Sequence, residues 1–126
     1  MTKKQMSNNN DNEIIETGKR CLEFLDTKKA ENSILMDLRK VNSYLSYFLI
    51  ASGNSQIHCR ALARDLERYA VEQGLILYGK PDYNSEWIII DFGEIIAHIF
   101  TEEMRDYYQL ERLWGDAEKF YIHNRG

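Results

Sequence analysis

Asp91 and Glu94 are the two carboxylates most suggestively placed for chemistry, because they flank a tight turn, Asp91-Phe92-Gly93-Glu94, between two apolar runs. A nucleotidyltransferase-type reaction needs two or more carboxylates converging on divalent metal, which on a strand usually means spacing i, i+2. Asp91 and Glu94 stand three apart, so an extended chain turns them to opposite faces. The tripeptide Asp91-Phe92-Gly93 also spells the metal-binding element of protein kinases, but nothing else of that signature set is present. A second candidate is the turn Ser52-Gly53-Asn54-Ser55, which follows an apolar run and precedes a helical pattern. Small residues at a helix N-terminus can hold an anion. A strand-to-helix turn with Ser55 as N-cap explains the same residues without a ligand.

His58, His98 and His123 are the remaining candidate metal ligands, together with Cys21 and Cys59. No H-E-x-x-H or paired-cysteine spacing joins them, so neither a metal nor a cofactor is expected. His98 lies in an apolar run and reads as a core or interface histidine. His58 and Cys59 are adjacent on a helical pattern and face different ways, which argues against a nucleophile pair. Arg60, Arg64 and Arg68 recur every four residues. They could touch phosphate, or form the solvated side of an amphipathic helix. No catalytic residue is assigned.

The elements that must position these residues follow from periodicity. Residues 1–10 are rich in Lys, Ser, Thr and Asn and read as a disordered tail, with one domain over 11–126. Asn10 and Glu13 have capping-box spacing, and a helix is predicted from there to about Lys29. Strands are predicted over 34–38 and 47–51, a helix over 56–73 closed by Gly74, and a short edge strand over 75–78. Two further strands, 87–91 and 95–100, join at the Phe92-Gly93-Glu94 turn, and their continuous Ile content predicts burial on both faces. Thr101 caps a last helix, with Glu102 and Glu103 facing its positive end. The order implies an α+β domain: a mixed sheet of about five strands flanked by helices.

A chain of 126 residues with 44% hydrophobic and 29% charged residues can bury one core without disulfides or metal. Its formal net charge of -4 does not suit bare nucleic acid, and favours a basic protein partner. Two unpaired cysteines fit a reduced compartment. The start has no apolar signal region and no run is long enough to cross a membrane. The cytoplasm is the expected location.

The last helical segment is the most informative. Met104, Tyr107, Tyr108, Leu110, Leu113, Trp114, Ala117, Phe120 and Tyr121 surround too much of a helix for one core stripe. Leftover aromatics mark a partner site, a helix end wedged between other elements, or a contact with a second copy of the chain.

These segments carry a resemblance. Residues 87–100, Trp-Ile-Ile-Ile-Asp-Phe-Gly-Glu and onward to His98, are similar to the W-D-G-[DE] strand pair of the ribosomal silencing factor (Iojap) family, which ends in V-H. Residues 101–114, with Arg105, Tyr108, Glu111, Leu113 and Trp114, resemble that family's E-x-R-x-x-Y-x-L-E-[KR]-L-W segment. Residues 47–55 resemble its strand ending in T-G-T-S, with Ser52 and Asn54 in place of Thr. The resemblance runs from about Glu13 to Ala117 and implies a nucleotidyltransferase-like fold without the catalytic acids. It implies binding to the large ribosomal subunit through the fourteenth large-subunit protein, blocking the joining of the small subunit. Trp87, Asp91, Phe92, His98, Tyr108, Glu111 and Trp114 are then the expected contact or contact-supporting residues. A large-subunit assembly factor and a nucleotide-handling enzyme are the competing expectations.

Overall fold

The computed structural model describes the backbone of residues 8–121 and the side chains from residue 12. Residues 1–7 and 122–126, and with them His123, lie outside the described residues; residues 8–10 of the expected tail belong to the first helix.

Helix α1, Asn8–Thr27, buries Cys21, Leu22 and Leu25 along one side. It closes where Lys29 takes φ 66 and the Ala30 N–H reaches back to the Leu25 carbonyl at 3.0 Å. Strands β1, Glu31–Asp37, and β2, Tyr47–Gly53, pair antiparallel. Helix α2, Gln56–Glu72, starts as expected: Ser55 is the N-cap and its hydroxyl accepts from the His58 N–H at 3.0 Å. Gly74 leaves it at φ 102, a conformation that suits glycine. Strand β3, Ile88–Asp91, turns through Gly93, φ 85, into β4, Ile95–Thr101. β4 pairs parallel with β2, and the sheet order is β3-β4-β2-β1-β5. No helix among the described residues is long and apolar enough to cross a membrane.

The mixed five-stranded sheet flanked by helices is therefore present, but its fifth strand is not the expected one. Residues 75–78 contribute a single bridge, Tyr78 to Asp91. The fifth strand is β5, Glu118–Tyr121, antiparallel to β1. It comes from the segment expected to be helical. That helix, α3, spans only Glu102–Tyr108, because Gln109 adopts a left-handed conformation at φ 53 and ends it. A 3-10 helix, Leu110–Trp114, follows, and the Gly115-Asp116 turn leads into β5. The aromatics that overfilled one helical circumference are thus shared among three elements.

Two layers of core lie on the two faces of the sheet. Under α1 and α2 pack Leu35, Leu49, Ile88, Ile90, Ile99, Leu62 and Leu66. Burying each such side chain contributes about 1.5–3 kcal/mol. On the other face Ile34, Met36, Ile50 and Phe100 pack with Leu110 and Ala117. This second cover stops short of β3. Ile88 and Ile90 are buried, but Ile89 is 46% exposed and Asp91 is exposed, so β3 is an edge strand with one open face rather than a strand buried on both.

Candidate partner-binding surface

The open side of β3 and the adjoining end of α3 carry the exposed aromatic groups. Alternation along the chain puts Trp87, Ile89 and Asp91 on the side away from α1 and α2. The backbone of Trp87 is clamped by Ser85, whose hydroxyl donates to the Trp87 carbonyl at 2.9 Å and accepts from its N–H at 3.2 Å. Ser85 is itself tied to α2 by the Gln56 amide, which donates to its carbonyl at 2.8 Å.

From Trp87 a chain of rings runs from core to solvent. Buried Phe48 meets His98 edge-on at 4.4 Å, and the Trp87 indole N–H donates to His98 Nδ1 at 3.0 Å. Trp87 packs on Tyr108 at 4.7 Å, and Tyr108 meets Tyr107 at 5.1 Å. Tyr107, 73% exposed, ends the chain in water. The Tyr108 hydroxyl donates to Glu86 Oε2 at 2.6 Å, and that bond raises its pKa. Burial pushes the His98 pKa down to about 4, so its imidazole is neutral at ordinary pH. Large amphipathic rings with anchored polar tips are the usual anchors of protein interfaces.

The seven expected site residues do not share one role. Trp87 and Tyr108 form the surface pair, and Asp91 stands exposed on the same sheet face, its carboxylate accepting from the Gly93 N–H at 2.7 Å. His98 is 4% exposed and supports Trp87 from below. Trp114 is half-buried against the core cluster on this face. Two of the seven make their contacts inside the chain. Phe92 is buried in the layer under α1 and α2, because the turn at Gly93 folds it inward; it can only brace the hairpin. Glu111 is engaged within the chain, accepting from Arg105 Nε at 2.6 Å. That contact spans the break at Gln109, which brings residues six apart side by side. Ile89, Tyr107 and Glu86 belong to the surface and were not among the expected site residues. The alternation of Trp87 and Asp91 was the signal that could have found Ile89.

The Ser52–Ser55 turn is filled by its own contacts. Arg105 Nη1 donates to the Ser52 hydroxyl at 3.0 Å. The Asn54 N–H donates to His58 Nδ1 at 2.9 Å, and His58 Nε2, carrying the proton, meets the Lys28 carbonyl at 3.0 Å. A Cβ on Gly53 would lie 2.7 Å from Cys59 Sγ, so glycine is required there by close packing of β2 on α2. Burial raises the thiol pKa of both cysteines, that of Cys21 to about 12, the opposite of what a nucleophile needs. Arg64 stacks over Tyr83 at 4.8 Å and Arg68 pairs with Asp65 at 3.7 Å, so this ridge is engaged with its own surface.

Comparison with known proteins places the chain. Residues 11–125 match the family model described as ribosomal silencing factor during starvation. A ribosomal silencing factor of Halalkalibacterium halodurans is 37% identical over 94 residues, covering 74% of this chain and 80% of that one. A crystal structure of a Chromobacterium violaceum protein shares the fold with TM-score 0.75 at 32% identity, covering 81% of this chain and 86% of that one. A more distant mouse relative, named for mitochondrial assembly of the ribosomal large subunit, is 31% identical over 77 residues, covering 56% of this chain and 33% of that protein. The chain belongs to the ribosomal silencing factor family.

Proposed function

We propose that this chain is a non-catalytic translational repressor. It binds the large ribosomal subunit through the fourteenth large-subunit protein and occupies ground the small subunit needs in order to dock. The observation that carries this reading is the ring chain ending in Trp87, Tyr108 and Tyr107 beside open Ile89, with the carboxylates of Glu86 and Asp91 at its margin. An apolar aromatic patch with acidic margins, on a chain of net charge -4, suits a basic protein surface. The family's printed description, a silencing factor, supports the same reading. Against a nucleotide-handling role stand the intramolecular contacts that occupy the Ser52–Ser55 turn. The site of action would be the cytoplasm, where subunits join.

The test is subunit joining followed by light scattering with purified mature subunits. Saturating protein should hold the subunits apart; joining at the undisturbed rate would overturn the repressor reading. The name of the mouse relative favours a second reading, an assembly factor for the large subunit. A pure assembly factor would pellet with large subunits yet leave the joining of mature subunits unchanged.

A further inference from the structure

We infer that His98 is a positioning residue, whose Nδ1 lone pair sets the orientation in which Trp87 is offered to the partner; this rests on the partner-binding reading above. The indole N–H is only a donor, so the 3.0 Å contact fixes Nδ1 as the acceptor and leaves the His98 proton on Nε2. That Nε2–H is buried and has no hydrogen-bond partner among the described residues. Burying an unpaired donor is unfavourable, and a group of the same shape without it would pack there more easily. The surroundings would accept such a group. Phe48 lies edge-on at 4.4 Å, Ile89 is directly opposite on β3, and Ile50 is the register partner on β2. The hydrogen bond to Trp87 is what an imidazole supplies at this place and a phenyl ring does not.

The need for that bond follows from how Trp87 is held. Ser85 fixes its backbone, but the ring projects to the half-open side, over Phe100 at 5.6 Å and against Tyr108 at 4.7 Å. Without an acceptor beneath it, the indole is free to take other rotamers, and the Tyr108 contact goes with it. A ring already held in its bound orientation loses less freedom on docking, which raises affinity without adding a contact to the partner. His98 is 4% exposed and reaches the partner only through Trp87.

Shape and hydrogen bonding can be separated by two substitutions. His98→Phe keeps the ring volume and removes the acceptor. His98→Asn keeps an acceptor near the Nδ1 position and loses volume. If His98 only fills space, His98→Phe is the milder change in both stability and affinity. If it positions Trp87, the two orders differ: His98→Phe melts at or above the wild-type temperature but binds purified large ribosomal subunits about tenfold more weakly, while His98→Asn melts lower and stays within about threefold of wild type. The Trp87 indole proton resonance, assigned by its loss in Trp87→Phe, should move upfield and exchange faster in His98→Phe. In a Trp87→Phe background, adding His98→Phe should change affinity no further. Wild-type binding by His98→Phe, with binding lost in Trp87→Ala, would overturn the positioning role and keep the site. Wild-type binding by both His98→Phe and Trp87→Ala would overturn the site and the positioning role together. If His98→Asn does not fold, the Trp87→Phe background decides alone.

Discussion

On the side of α1 and α2, the sheet presents Leu35, Leu49, Ile88 and Ile99 to helices that leave each of them at most 1% exposed; on the other side, Ile89 is 46% and Tyr107 73% exposed. The two faces share the same strands, and alternate residues of β3 serve one or the other. The sealed face is mainly aliphatic, packed under two long helices. The open face adds rings with polar tips, two of them anchored on a neighbour: Trp87 on His98 and Tyr108 on Glu86. A sheet stabilised from one side can carry exposed rings on the other without unfolding, and anchoring those rings reduces the freedom that docking on the proposed partner would cost.

The two faces can be perturbed separately. The largest effect is expected in the sealed layer. Leu66 is fully buried on α2, and Leu66→Ala should destabilise the fold by about 3 kcal/mol in urea unfolding, with the folded fraction still binding large subunits at wild-type affinity. A loss of affinity in that folded fraction would show that the two faces are coupled.

Next comes the buried imidazole between the faces. His98 has a folded pKa of about 4, below the 6.5 of an unperturbed histidine. Between those values the unfolded chain binds the extra proton, so the fold loses stability as pH drops below 6.5, and the loss is complete below about 4. The span corresponds to about 3 kcal/mol. Stability measured from pH 7 to pH 4 should fall less steeply in His98→Phe; parallel curves would contradict a neutral buried His98.

A smaller effect is expected at the Arg105–Glu111 contact. If its work is to hold Arg105 across the Gln109 break, Glu111→Ala should cost about 1–2 kcal/mol of stability and change affinity little. Full stability with weakened binding would return Glu111 to the partner surface. The smallest change is Tyr108→Phe, which removes only the bond to Glu86 and should weaken large-subunit binding about threefold.

What the sequence made legible was local. Ser55 and Thr101 cap the helices they precede, and Gly74 and Gly93 stand at the positive φ their turns require. These signals act within a few residues. What it hid was decided at a distance or by an unmarked residue. Gln109 ends α3 in a left-handed conformation where no glycine gave warning, and β5 exists because β1 offers it an edge. Ile content alone predicted both faces of β3 to be buried; which face stays open depends on where the cover from the C-terminal elements stops. The candidate site was legible as residue types, since Trp87, His98 and Tyr108 lie together, but not as roles, since Phe92 is buried and Glu111 is held by Arg105.

The most direct measurement is co-sedimentation of purified large ribosomal subunits with a Trp87→Ala/Tyr108→Ala variant whose circular dichroism matches the wild type. Removing two interface anchors should cost at least tenfold in affinity, leaving the variant in the supernatant at concentrations where the wild type pellets. A folded variant that pellets with wild-type affinity would contradict the assignment of the partner surface to the open face of the sheet.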